Sequence, residues 1–200
     1  MKQFIFFTCL MISLSISAQR FSSQIFHDGF MVTTDRDTIK GALKYDLEAN
    51  ILLVVKNNKT KSFSSRKVFY FEIFDEILNN YRQFYSIPYT VNINYKTPVF
   101  FELVYEGKVS LMAREHLISQ TVNNSSAYWG GGTGTQIVIK YTFFFMDDKG
   151  KITYFNGKKK ELLAYMSKKQ SDVKKFIKEN KLDTDSMADL VRITAFYNSI

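Results

Sequence analysis

The chain has 200 residues, is 46% hydrophobic and 23% charged, and carries a formal net charge of +8. That length suits about one domain, and the apolar fraction excludes wholesale disorder. With 2 Pro and 9 Gly, collagen-like and low-complexity classes are excluded as well.

Residues 1–18 read as a secretory signal peptide. Lys2 supplies the positive start, residues 4–16 form the apolar stretch, and Ala18 is the small residue before cleavage, leaving Gln19 as the new N-terminus. As a helix the apolar stretch rises about 20 Å, short of the roughly 30 Å of a bilayer core. Cys9 lies inside it and is the only cysteine. The mature chain is therefore expected to hold no disulfide, no thiolate metal site, no cysteine nucleophile and no lipid anchor on cysteine. Cleavage removes Lys2 alone from the 27 basic residues, so the mature chain stays basic. An exported basic protein points to an envelope protein, an anionic membrane surface or a glycan as partner, and away from nucleic acid. No later stretch is long and apolar enough for a transmembrane helix. The expected location is periplasmic or extracellular, including a peripheral place at the outer membrane.

After a short leader over 20–28, β-type patterns dominate. Residues 30–34 and 38–45 read as a hairpin turned by Asp35-Arg36-Asp37, and 51–56 as a β-branched strand ended by Asn57-Asn58-Lys59. Phe63 follows, then a strand over 68–74. Weaker strands cover 81–85 and 89–95, with Pro88 breaking the run. The segments 99–105 and 108–117 make the clearest hairpin, about Glu106-Gly107. A long aromatic strand over 137–146 turns at Asp147-Asp148-Lys149-Gly150 and returns over 151–155.

Then the period changes. Leu162, Leu163 and Met166 fall at helical spacing over 158–166. Ser171-Asp172 starts a second helix with Val173, Phe176 and Ile177 on one face. Asp185-Ser186 starts a third, with Met187, Leu190, Val191 and Tyr197 inward. Strands followed by helices predict an α+β domain: an antiparallel β-rich sheet or partly closed barrel over 19–157, then two or three short helices over 158–200 packed on the same domain.

Few residue patterns carry chemistry. The glycine run after Tyr128-Trp129 lacks the Gly-Lys-Ser/Thr of a phosphate loop and leads into a strand. It reads as part of a long loop over 119–136, with Tyr128 and Trp129 as a candidate aromatic binding platform. Asp35-Arg36-Asp37-Thr38 and Asp147-Asp148-Lys149-Gly150 read as turns, not as a phosphatase or calcium motif. His27 and His116 are the only histidines, and neither has a clustered partner in sequence. Glu72 and Glu102 interrupt aromatic strands and are read as marking the solvent face. The lysines at 158–160, 168–169 and 174–175 read as a solvated helix face, or as a contact to an anionic membrane or glycan.

Three stretches carry a resemblance. They are Asp28-Gly29-Phe30-Met31-Val32-Thr33-Thr34 through Asp37-Thr38-Ile39-Lys40-Gly41, the segment 103–111, and the tail from Ile177 to Asn198. Together they resemble uncharacterised secreted proteins of Bacteroidota-type bacteria, whose opening hairpin has an Asp-Thr-x-x-Gly pattern. That family has no established activity, so the resemblance implies no catalytic, metal or cofactor-binding residue.

The functional expectation is an exported cell-envelope protein acting as a non-enzymatic binding or interaction module, with no cofactor. Two alternatives stand beside it: a glycan-directed hydrolase using strand-borne carboxylates, and a small carrier for an apolar ligand.

Overall fold

Alternating and β-branched segments joined by tight turns build a sheet of ten antiparallel strands. The computed structural model describes residues 20–92, 95–124 and 132–200. The strands are β1 (His27–Thr33), β2 (Thr38–Asp46), β3 (Ile51–Lys56), β4 (Lys59–Ser64) and β5 (Val68–Asp75), then β6 (Asn80–Asn92), β7 (Tyr95–Tyr105), β8 (Ser110–Asn124), β9 (Gly132–Met146) and β10 (Ile152–Phe155). Their spatial order is β10-β9-β8-β7-β6-β5-β1-β2-β3-β4. It is a meander with one departure, since β1 inserts between β5 and β2. The helices are α1 (Lys159–Tyr165), α2 (Gln170–Glu179) and α3 (Met187–Ser199).

Local chemistry explains the turns. Asn57 and Asn58 both take positive φ, 51° and 58°, which is the two-residue hairpin turn asparagine favours. The Asp37 N–H donates to Thr33 Oγ1 at 3.1 Å across the β1–β2 turn. Asp147 Oδ1 accepts from the N–H groups of Lys149 and Lys151, and Gly150 supplies φ 75°. Ser186 caps α3 by accepting from the Asp189 N–H.

The sheet stays open, with β4 and β10 as its edges, but its first half curls strongly. Two glycines sit face to face where it bends, Gly29 on β1 and Gly41 on β2. A Cβ on Gly29 would lie 2.1 Å from the Glu72 carbonyl oxygen, and one on Gly41 2.3 Å from that of Val55. Only glycine lets the backbones approach this closely. The curl brings the β2–β3 turn against β7 and β8. There Asn50 Oδ1 accepts from the Phe100 N–H and from Arg114, which also donates to the carbonyls of Phe100 and Leu47.

Three apolar cores result. Inside the curl, Phe71 stacks on Phe84 at 4.6 Å and meets Phe100 edge-on at 5.3 Å, with Met31, Leu43 and Leu52 around them. Each such phenyl ring is worth about 2–3 kcal/mol of burial. The interior of the curl is thus filled with side chains. Beyond it, the helices cover the same face through Leu162, Val173, Ile177, Leu190 and Ile193 on Leu111, Phe143 and Phe145. On the reverse face Val99, Phe101, Met112 and Phe144 form the third core.

The strands are longer than the sequence suggests in two places. Pro88 does not break β6. It sits opposite Pro98 of β7, where β5 has already ended and β8 has parted, so neither missing N–H costs a ladder bond. Nor is 119–136 one long loop. Within the described residues β8 runs to Asn124 and β9 starts at Gly132, paired residue by residue. Thr, Gln and Val on both strands supply the ladder despite their polar look.

Candidate functional site

The most concentrated chemistry lies where the curl meets the helix-covered half. Arg82 on β6 is buried there, ringed by Asp75, Glu102, Glu115 and Tyr45. Its Nε and Nη2 donate to the two oxygens of Glu102, both at 2.7 Å. Nη2 also donates to Glu115 Oε2 at 2.8 Å. Nη1 donates to the Tyr45 hydroxyl at 2.7 Å and to Asp75 Oδ2 at 3.0 Å. All five guanidinium N–H groups are thereby used. The Tyr45 hydroxyl donates onward to Glu115 Oε1 at 2.7 Å. Asp75 Oδ1 accepts from the N–H groups of Ile77 and Leu78, which closes the β5–β6 turn.

The electrostatics follow from burial and charge. Burial alone pulls the Arg82 guanidinium down, but the carboxylates around it, Glu102 foremost, push it further up. Burial pushes the Tyr45 phenol far up, helped by Glu115 and opposed by Arg82. Burial also raises the Asp75 carboxyl, yet hydrogen bonds from Ser22, Arg82 and the Leu78 N–H outweigh it and leave it below the ordinary range. Three carboxylates face one guanidinium, and the guanidinium holds the centre that a bound cation would need.

Next to this cluster lies a groove of about 570 Å³ between the β2–β3 hairpin and β8. Tyr45 and Glu115 reach its floor, Leu47 and Leu53 give it apolar wall, and Asp46, Glu48 and His116 stand at its sides. His116 Nδ1 lies 3.7 Å from Glu48 Oε1. His27 is buried beside the cluster: its ring stacks on that of Tyr45 with centroids 6.5 Å apart, and Nε2 lies 2.8 Å from the Ser22 carbonyl.

The second feature is a ribbon. Residues 114–124 of β8 pair only with β9, and residues 132–142 of β9 pair only with β8. Past Leu117 this two-stranded ribbon runs about 25 Å, and among the described residues no other strand pairs with either side of it. Ile118 is 37% exposed and Ile137 46%. No charged residue occurs over 117–124 or 133–139, in a chain that is 23% charged.

Several residues lie elsewhere than the sequence suggests. Glu102 is buried in the Arg82 cluster and does not mark a solvent face. Its strand is covered on both sides, so alternation along β7 carries no inside–outside signal. Glu72 is half-buried and accepts from Gln83 Nε2 at 2.7 Å. Tyr128 and Trp129 lie outside the described residues, as does the leader, 1–18. The lysines at 158–160, 168, 174 and 175 are exposed on the helical segment. Among the described residues no group of three His, Cys, Asp or Glu side chains is set to hold a metal, and no helix is long and apolar enough to cross a membrane.

Arg82 escaped the sequence reading. Its one signal is parity: Arg82 sits two residues from Phe84, and Glu115 two from Ala113, all on the core-facing side. Comparison with family models, with curated proteins and with solved structures finds no match to this chain.

Proposed function

We propose that the protein is an exported, non-enzymatic interaction module of the cell envelope. Its contact element is the β8–β9 ribbon, and its partner contributes an extended segment to one ribbon edge. One observation carries the reading. Edge strands of soluble proteins are usually guarded by lysines, prolines, bulges or covering loops. Among the described residues no other strand pairs with either edge of this ribbon, and it has no charged residue over 117–124 or 133–139. Unpaired N–H and C=O groups along such an edge accept a strand, and the alternate side chains select it. The export half of the proposal rests on the apolar leader that Lys2 opens and Ala18 closes. The hydrolase alternative loses support because Glu102 and Glu115 are engaged with Arg82 and Tyr45.

The test is photo-crosslinking in the native cell. A crosslinker placed at Thr121 or Gln136 is expected to trap one discrete envelope protein, and one at Lys175 is expected not to. With the crosslinker at Gln136, adding charge with Thr121→Lys and Ile137→Lys should abolish the adduct while leaving the melting temperature unchanged. Equal adducts from Lys175, or adducts that survive both substitutions, overturn the proposal.

A further inference from the structure

The far end of the curl carries a different site. On the β3–β4 hairpin, Leu52 faces Phe63, Val54 faces Lys61, and Lys56 faces Lys59. These pairs share one side of the hairpin, because side chains repeat with period two. That side is the concave one, since Leu52 and Val54 belong to the core inside the curl. Three lysines therefore stand on the core-facing side at its open mouth. Lys56 and Lys59 are directly opposite, an arrangement that destabilises a hairpin. None of the ion pairs among the described residues includes any of the three. Beneath them a groove of about 310 Å³ is floored by Ile39, Val54 and Phe63, and its lining holds no acidic residue.

Lysine on an edge strand also guards against strand pairing. That role accounts for charge on β4 but not for Lys56, which lies on the inner strand β3. An apolar floor under uncompensated ammonium groups is complementary to one kind of molecule. We propose that this mouth binds a single anionic amphiphile, with its alkyl chain on Ile39, Val54 and Phe63 and its acidic head group on Lys56, Lys59 and Lys61. The site is separate from the β8–β9 ribbon and stands without it.

The experiment titrates the mature chain with dodecyl phosphate below its micelle concentration, by calorimetry and by amide NMR shifts. Inorganic phosphate, dodecyltrimethylammonium and phosphatidylglycerol vesicles are the parallel probes. Dodecyl phosphate is expected to saturate at one per chain, with shifts at Val54 and Phe63 and with affinity that falls as salt rises. Inorganic phosphate should not saturate. The triple variant Lys56→Gln/Lys59→Gln/Lys61→Gln should bind about tenfold or more weakly, having lost three charge-assisted contacts. It should melt no lower than the parent, because it relieves like-charge repulsion, so lost binding is not lost folding. Equal affinity for the cationic amphiphile, or undiminished binding by the triple variant, overturns the proposal. Binding to vesicles alone also overturns it, and assigns the lysines to a membrane surface instead.

Discussion

Replacing Arg82 by methionine tests the central cluster most directly. The substitution keeps much of the side-chain volume and removes five donors. Asp75, Glu102 and Glu115 are then left buried without their cation, and the Tyr45 hydroxyl without its donor. Removing one partner of a buried ion pair costs about 3–5 kcal/mol. Three stranded carboxylates place Arg82→Met at the upper end, about 5 kcal/mol at neutral pH. For a chain of this size that is a fall in melting temperature of roughly 10–20 °C. Neutralising a carboxylate is different in kind, because the site holds three of them against one guanidinium. Glu115→Gln removes one negative charge and keeps one oxygen, which can accept from Arg82 or from Tyr45 but not from both, so its cost is about 1–3 kcal/mol, below that of Arg82→Met. The assay is reversible urea unfolding of the parent and both variants, with the m value checked for constancy. An Arg82→Met cost below about 1 kcal/mol, or a Glu115→Gln cost equal to it, refutes the view that one guanidinium organises this junction.

Three further outcomes follow from the same geometry. The Asp75 carboxyl is held below its ordinary range by Ser22, Arg82 and the Leu78 N–H against the opposing effect of burial. Its contribution is therefore full above the unfolded value near pH 4 and is lost as pH falls through the lower folded value; urea midpoints of the parent should drop over that window, and those of Asp75→Asn should drop less. Tyr141 and Tyr165 are pushed up to about 12, chiefly by burial, and Tyr45 higher still. Tyrosinate absorbance of the folded protein should thus show at least these three of the 12 tyrosines titrating late, and stability should fall as pH rises above about 10, where the unfolded chain ionises first. Gly29→Ala would set a Cβ 2.1 Å from the Glu72 carbonyl oxygen; the expected cost is about 3 kcal/mol, and a thermal melt matching the parent would show that the bend between β1 and β5 is not tight.

Much of the secondary structure was legible because its causes are local. Asp35-Arg36-Asp37, Asn57-Asn58 and Asp147 to Gly150 are turns by their own side-chain chemistry. The helices show in the spacing of Leu162, Leu163 and Met166, of Val173 and Ile177, and in the Ser186 cap. Where strand signals were weak, pairing supplied what composition lacked. Pro88 stays in β6 because Pro98 faces it, and the polar residues of 119–124 are held in a strand by β9.

From the chain alone one can therefore read an antiparallel β-rich domain with its helices last, and the position of most turns. Tertiary structure alone decided the insertion of β1 between β5 and β2, the curl through Gly29 and Gly41, and the concave placement of Lys56, Lys59 and Lys61. It also decided that Glu102 is buried on Arg82. The reason is range. Turns and helices are set by residues within a few positions of one another, whereas the Arg82 cluster joins side chains 20, 33 and 37 positions away. A carboxylate on a strand covered on both faces carries no local mark of which side it will find its partner on.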